Sequence, residues 1–205
     1  MEQKRGPWTI LSSREGYRNP WVEVTHHEVL RADGSPGVYG VVGFQNLAIG
    51  VLPLFADGTV PMVGQYRFPL KRFTWELPEG GGPKGEDPLL SAKRELKEET
   101  GATAAHWLEY GQADLSNSVT DERAHLFLAW DLTEGEAAPE PDEVFQYKRV
   151  TFGELLTDIH RGEVDDALTQ LLVLTAVSRA IMGELPDRPR NLILDQLPEA
   201  RTGGS

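Results

Sequence analysis

Alternating apolar and polar residues predict a chain that begins with β-strands and ends in helices. Strands are predicted over Trp21–Leu30, Gly37–Phe44, Ile49–Phe55, Val60–Tyr66, Thr74–Leu77, Trp107–Gln112, His125–Trp130 and Val144–Thr151. Ala56-Asp57-Gly58, between two of these strands, predicts a hairpin turn. Helices are predicted over Pro88–Thr100, Phe152–His160 and Glu163–Met182. This mixed order is typical of an α+β fold, in which helices cover both faces of a sheet.

The first predicted helix carries clear signals at both of its ends. Asp87 is a favourable N-cap, and Pro88 suits the first helical position because its missing N–H costs nothing there. Gly101 suits the left-handed conformation that follows the last helical residue. Leu89, Ala92 and Leu96 share one face of this helix, so that face is expected to pack against the sheet.

Three glutamates of the same helix form an acidic arc. Glu95, Glu98 and Glu99 stand at i, i+3 and i+4, so they lie on one side and repel each other, and we expect this side to face outward. Arg94 is placed to reach Glu98 and offsets part of the repulsion. Carboxylate oxygens are the ligands that Mg²⁺ or Mn²⁺ prefers, so the arc predicts a metal site.

The spacing of these residues resembles the Nudix box. Gly80 is followed after five residues by Glu86 and after seven more by Arg94-Glu95-Leu96-Lys97-Glu98-Glu99-Thr100-Gly101-Ala102. The resemblance implies an α/β/α sandwich with a mixed sheet. It also implies a hydrolase that uses a divalent metal to cleave a nucleoside diphosphate linked to another group.

Each box position then implies a role. Glu95, Glu98 and Glu99 are expected to bind the metal, and Arg94 is expected to orient a glutamate by a charge-assisted hydrogen bond. Glu86 is expected to be a supporting acid near the metal. The main-chain carbonyl of Glu79 is expected to be a further ligand.

The segment before the box is similar to that of the ADP-ribose and nucleotide-sugar branch of the family. Gln65-Tyr66-Arg67 is followed by Trp75-Glu76-Leu77-Pro78-Glu79-Gly80. Arg67 is expected to bind a substrate phosphate, because its guanidinium matches phosphate oxygens. An ion pair between Arg67 and Glu76 is the alternative, and both roles are compatible, with Glu76 supporting the substrate site.

A second segment, residues 116–123, resembles the substrate loop of the same branch. ADP-ribose pyrophosphatases usually have a proline in this loop, whereas this chain has none between Pro88 and Pro139. This departure favours nucleotide sugars such as GDP-mannose over ADP-ribose. Glu122 is expected to help hold the metal or the substrate, or else to be an ordinary loop acid.

The acidic loop 136–143 is where this branch often supplies the general base. Glu143, just before an apolar pair, is the first candidate, and Asp142 is the second. A base must reach the attacking water directly or through another water. If neither residue serves, Glu98 or Glu86 of the box remains, and Glu98 is therefore both a ligand and a catalytic candidate.

The amino-acid composition excludes several kinds of site and argues against some classes of protein. The 205 residues include no cysteine, which excludes disulfides, thiolate metal sites and a cysteine nucleophile. A net charge of −12 argues against a protein that coats nucleic acid. No uncharged run is long enough to cross a membrane, so we expect a cytoplasmic location and no membrane partner. The five histidines show no metal-ligand spacing.

The chain divides into three parts in this interpretation. Residues 1–44 form an N-terminal β region, 45–184 the hydrolase domain and 185–205 a loosely ordered tail. Members of the branch are commonly homodimers that exchange their N-terminal strands, so a homodimer is expected. The alternatives are a Nudix hydrolase of nucleoside triphosphates or dinucleoside polyphosphates, and a non-catalytic module that binds nucleotides.

Overall fold

The computed structural model describes residues 3–137 and 145–197 of the chain. The strands are β1 (Gln3–Arg5), β2 (Trp8–Arg18), β3 (Val22–Leu30), β4 (Pro36–Phe44), β5 (Asn46–Leu54), β6 (Thr59–Arg67), β7 (Arg72–Glu76), β8 (Glu79–Pro83), β9 (Thr103–Asp114), β10 (Arg123–Thr133) and β11 (Gln146–Thr151). The helices are α1 (Pro88–Thr100), α2 (Phe152–Arg161), α3 (Ala167–Met182) and α4 (Asp187–Leu194).

The first four strands form an antiparallel sheet of their own, in the order β1-β2-β3-β4. Its last strand is joined to the segment before β10, because Val42 N donates to Val119 O at 2.8 Å and Asp121 N donates to Val42 O at 3.3 Å. The N-terminal sheet is therefore hydrogen-bonded to the loop that was predicted to contact substrate.

The remaining strands form two sheets, in the orders β8-β5-β10-β9 and β11-β6-β7. β5 and β10 run parallel, with Val51 opposite Phe127, whereas the other pairs in these sheets are antiparallel. β5 is buried on both faces, which explains its nearly continuous apolar sequence.

Helices cover both faces of the β5–β10 sheet. On one face, Ala92 and Leu96 of α1 pack against Ile49, Val51 and Phe127. The core on the opposite face joins the strands to α2, α3 and α4, and its fully buried members include Leu52, Leu54, Leu126, Leu128, Phe152 and Leu172. This layering confirms the predicted α+β fold, an α/β/α sandwich with a mixed sheet and an extra N-terminal β region.

The turn between β5 and β6 differs from the prediction. The chain does reverse, since Phe55 N donates to Thr59 O at 3.0 Å and Gly58 has a φ of 76°. The two strands then enter different sheets, so the predicted hairpin is wrong. A turn sequence specifies the reversal of the chain, but the edges along which the flanking strands pair depend on the rest of the sheet.

The C-terminal segment also differs from the prediction. A loosely ordered tail was predicted from Leu185, yet the described part of this segment contains α4. Leu185 and Ile193 are 4% and 0% exposed and belong to the core beside α3. Pro189 and Ile193, four residues apart, form the buried face of α4, and Leu185 packs just before the helix begins, so packing stabilises this segment.

The helices were compared with the length and hydrophobicity that a membrane-spanning helix needs. Within the described ranges, no single helix has the length and hydrophobicity to cross a bilayer, and α3 and α4 meet that test only jointly, as a pair bent by 107°.

Candidate active site

The candidate site begins where β8 passes under α1. Glu95 is 8% exposed, and its carboxylate lies against the backbone of Gly80. A Cβ at position 80 would be 2.3 Å from Glu95 Cδ, a distance that real Cβ atoms do not show. The box glycine is therefore required sterically, because it lets the carboxylate approach the strand.

Glu99 is also fixed against β8. Its Oε2 accepts a hydrogen bond from Glu79 N at 3.1 Å, and the residue is only 7% exposed. The sequence predicted that the acidic arc faces outward, which is wrong for Glu95 and Glu99. The reason is that β8 covers this side of the helix, while Glu98 keeps about a third of its side chain exposed, at 31%.

Arg94, at the exposed edge of α1, contacts two glutamates of the helix and the backbone of β8. Its Nη1 donates to Glu98 Oε2 at 3.0 Å, and its Nη2 donates to the main-chain oxygen of Gly81 at 2.8 Å. Nη2 also lies 2.8 Å from Glu95 Oε1. The predicted pairing with Glu98 is confirmed, and the guanidinium also ties the helix to β8.

The predicted ion pair between Arg67 and Glu76 is present, and Glu79 also takes part in it. Arg67 Nε donates to Glu76 Oε2 at 3.2 Å, and Nη2 lies 2.8 Å from Glu76 Oε1 and 3.1 Å from Glu79 Oε1. Glu76 is 1% exposed, whereas 35% of the Arg67 side chain is exposed. Arg67 therefore has its inner side bound to two carboxylates and an outer side open to a ligand.

Asp166 completes this group, although the sequence analysis missed it. One carboxylate oxygen from each of Glu76, Glu79 and Asp166 lies within 4.8 Å of the other two. Asp166 is the N-cap of α3, and its Oδ2 accepts from Thr169 N at 2.7 Å. The predicted helix started at Glu163, so this cap was not identified.

The three carboxylates are electrostatically unfavourable to one another. Burial raises the pKa of Glu79 well above its usual value, and the neighbouring Asp166 and Glu76 raise it further, while Arg67 opposes the change. Burial likewise raises the pKa of Glu76 against the lowering effect of Arg67. Glu79 Oε2 is buried and has no hydrogen-bond donor among the described residues.

Several predicted site residues line one cavity of about 490 Å³. Its walls include Trp21, Arg67, Glu79, Gly80, Glu122 and Asp166. Burial raises the pKa of Glu122, and Asp121 beside it acts in the same direction. The cavity therefore brings together the arginine, the loop acid and the box glycine that the sequence placed far apart.

The side chain of Asp121 attaches the loop that supplies Glu122 at two further points. Asp121 Oδ1 accepts from Phe44 N at 2.8 Å, and Asp121 Oδ2 accepts from Lys84 Nζ at 3.1 Å. Lys84 lies between β8 and α1, so Asp121 links the N-terminal sheet to the box loop. This connection is not predictable from the sequence, because no local pattern couples the two residues.

The predicted supporting acid Glu86 is exposed, and its Oε2 accepts from Ser91 Oγ at 2.8 Å, which orders the start of α1. The general-base candidates Glu143 and Asp142 lie outside the described residues.

The acidic residues of the box offer a donor set suited to a divalent metal. Glu95, Glu98, Glu99 and Glu79 supply oxygen atoms only, which Mg²⁺ and Mn²⁺ prefer. Glu98 keeps 31% of its side chain exposed, so this side of the acidic arc is open to solvent and to an ion. The residues present therefore fit such an ion.

Comparison with known proteins agrees with this geometry. The chain is 38% identical over 124 residues to the ADP-ribose pyrophosphatase of Bacillus subtilis (strain 168), covering 60% of this chain and 67% of that protein. It is 32% identical over 148 residues to the ADP-ribose pyrophosphatase of Mycobacterium tuberculosis, covering 69% and 70%. A solved structure described as an ADP compounds hydrolase superposes with a TM-score of 0.77 at 17% identity, covering 89% of this chain and 100% of that one.

Two family profiles match separate parts of the chain. The Nucleoside diphosphate sugar hydrolase N-terminal domain matches residues 8–42, within the first sheet. The NUDIX domain matches residues 45–171, more than half of the chain, and this range contains the box, Arg67, Glu122 and Asp166. Because Glu95 and Glu99 of the box pack against β8 at Gly80 and Glu79, and because the NUDIX profile covers more than half of the chain, the chain belongs to the Nudix family.

Proposed function

We propose that this protein hydrolyses the diphosphate of a nucleoside diphosphate sugar, of the ADP-ribose or GDP-mannose type, to a nucleoside monophosphate and a sugar phosphate. The observation that carries the proposal is the cavity in which Arg67 and Glu122 face the box residues Glu79 and Gly80. The names of the relatives and the N-terminal profile support the same substrate class.

The proposed cofactor is Mg²⁺ or Mn²⁺. Glu95, Glu98 and Glu99 are the proposed ligands, with the main-chain carbonyl of Glu79 and, in a supporting role, Glu86. A divalent ion at such a site polarises a phosphoryl oxygen and lowers the pKa of bound water. Arg94 orients Glu98 and Glu95 through the contacts described above.

The reaction is a displacement at phosphorus by water. A new P–O bond forms from water to one phosphorus of the diphosphate, and the bond from that phosphorus to the bridging oxygen breaks. The bridging oxygen leaves with the second phosphate, and the proton of the attacking water passes to a carboxylate base. Glu143 is the proposed base, with Asp142 second and Glu98 or Glu86 as the remaining candidates.

Arg67 is the proposed phosphate-binding residue. Its guanidinium is oriented by Glu76, which is nearly inaccessible to solvent and therefore has a restricted position. A preorganised guanidinium loses little freedom on binding a phosphate oxygen, and its charge opposes the negative charge of the diphosphate. Glu122, across the same cavity, is proposed to help hold the substrate or the metal.

A homodimer is proposed as the assembled form, and the cytoplasmic location stays a prediction. The N-terminal sheet and the turn between β2 and β3 expose large apolar side chains, with Tyr17 58%, Trp21 67% and Val38 58% accessible. Large exposed apolar side chains are candidates for a surface that a partner covers. Light scattering on the purified protein measures the oligomeric state directly.

A substrate panel tests the proposed reaction. ADP-ribose, GDP-mannose, UDP-glucose, a diadenosine polyphosphate and a dNTP are each assayed with Mg²⁺ and with Mn²⁺, and the products are identified by chromatography. We expect a nucleotide sugar or ADP-ribose to give the highest kcat/KM. The proposal fails if a dNTP or dinucleoside polyphosphate is the best substrate, or if no compound is hydrolysed.

A further inference from the structure

A second cavity, of about 540 Å³, lies between the β6–β7 connection and the start of α3. Arg67, Glu79, Asp166 and Ala167 line both this cavity and the one that holds the box residues. Because the two cavities share these walls, a ligand whose phosphates contact Arg67 can extend past it into the second space.

The outer wall of the second cavity combines polar and apolar groups. Arg72 of β7 forms an ion pair with Asp165, and about half of each side chain is accessible, at 49% and 44%. Pro69 and Leu70 contribute apolar surface beside this pair, and Leu70 is 55% exposed. Charged hydrogen-bonding groups next to small apolar patches suit a ligand that carries both hydroxyl and C–H groups.

The inner wall is acidic and is held in place by Arg67. Glu76 is 1% exposed, and its Oε1 is ion-paired with Arg67 Nη2 at 2.8 Å. Glu79 Oε1 lies 3.1 Å from the same nitrogen. The guanidinium therefore fixes the two carboxylates behind the cavity, and the accessible polar groups of the lining are those of Arg72 and Asp165.

The net charge of the residues that line the second cavity favours a neutral ligand over an anionic one. Four carboxylates, Glu76, Glu79, Asp165 and Asp166, face two guanidinium groups, Arg67 and Arg72, which leaves a formal excess of two negative charges. Such a lining repels further phosphates and accepts hydrogen bonds from neutral hydroxyl groups.

We propose that this second cavity binds the sugar of the substrate, with Asp165 and Arg72 hydrogen-bonding its hydroxyl groups. The proposal rests on the proposed function, because it assigns the sugar end of the same substrate. It also gives a reason for preferring a nucleotide sugar to a nucleoside triphosphate, since the γ-phosphate of the latter would meet the acidic wall.

Binding without turnover tests this assignment. Isothermal titration in EDTA gives the Kd of ADP-ribose and of ADP, and of GDP-mannose and of GDP, for the wild-type protein, Asp165→Asn and Arg72→Gln. The ratio of the two Kd values in each pair isolates the sugar. Asp187→Asn is the matched control, because it removes a similar exposed ion pair with Arg190 at the start of α4.

We expect the wild-type protein and Asp187→Asn to bind one of the sugar nucleotides more tightly than its diphosphate. Asp165→Asn and Arg72→Gln should reduce that preference by about tenfold, the effect of losing a hydrogen bond to a charged group. An unchanged ratio in both variants would overturn the assignment, as would a wild-type protein that binds the diphosphate as tightly as the sugar nucleotide in both pairs. Failure of hydrolysis in the substrate panel is a separate result, since these titrations contain no metal.

Discussion

Gly80 and Glu95 are in direct contact, with the carboxylate of Glu95 in the space that a side chain at position 80 would need. A Cβ there would lie 2.3, 2.4 and 2.5 Å from Cδ and the two oxygens of Glu95. Arg94 contacts both Glu95 and the main-chain oxygen of Gly81, so the helix and β8 are not free to move apart. The position of Glu95, a candidate metal ligand, therefore depends on residue 80 having no side chain.

Gly80→Ala is therefore expected to impair hydrolysis more than folding. The added methyl group must displace Glu95 or β8, and overpacking of this kind costs about 1–3 kcal/mol of stability. We expect a large fall in kcat, measured with the best substrate of the panel, and a modest shift in the urea midpoint. Gly40→Ala is the control, because a Cβ at position 40 meets no atom within 4 Å. Equal activity of the two variants would contradict the prediction.

Glu99→Gln tests the metal site at the other end of the arc. The amide oxygen of glutamine can still accept from Glu79 N, so the fold should persist, while the charge of a proposed metal ligand is lost. We expect turnover to fall by orders of magnitude and to need a higher Mg²⁺ or Mn²⁺ concentration for saturation. EDTA should abolish wild-type activity.

The control for this variant is Glu163→Gln, an exposed glutamate between α2 and α3. It should retain wild-type rates and metal dependence. A folded Glu99→Gln protein with nearly full activity would remove Glu99 from the ligand set.

The sequence predicted α1 closely, because its signals are local. Asp87 caps the helix by accepting from Leu89 N at 3.0 Å, and Gly101 has a φ of 74°, both as expected. The burial of Glu95 and Glu99 was not predictable in the same way. It depends on β8, a glycine-rich strand with little intrinsic preference for extended structure, which pairs along β5.

Only the part of the candidate active site that depends on residues close in sequence was predictable. Arg67 and Glu76 are close in sequence and lie on adjacent strands, so their pairing was foreseeable. Asp166 reaches them only through the docking of α3, which a local pattern does not specify. β1 and β2 were also missed, since most of β2 is exposed and lacks the apolar alternation that marks a strand.

Thr169→Val tests that docking. Thr169 is fully buried, and its Oγ1 accepts from Leu77 N at 2.9 Å, which connects α3 to the segment that leads into the box. Valine has nearly the same shape but cannot accept, so a buried N–H loses its partner at a cost of about 1–3 kcal/mol. Urea unfolding should show this loss, whereas Thr175→Val on the same helix should change stability much less.

Arg67 has two proposed roles that a double variant separates. Arg67→Gln leaves Glu76 buried without a cation, which typically costs about 3–5 kcal/mol. Adding Glu76→Gln removes the uncompensated charge and should restore much of the stability. If Arg67 also binds a substrate phosphate, kcat/KM should remain low in the double variant. Recovery of both stability and activity would limit Arg67 to a structural role.

The general base is the last assignment to test, and it rests on the sequence because Glu143 and Asp142 lie outside the described residues. A base acts on the attacking water in the transition state, so Glu143→Gln should lower kcat strongly and change KM and metal affinity much less. Metal titrations and substrate kinetics on the same preparation measure all three quantities. If Glu143→Gln is silent while Asp142→Asn or Glu122→Gln loses turnover, the base is that residue. If all three variants keep nearly full rates, the base belongs to the box, where Glu98 and Glu86 are the candidates.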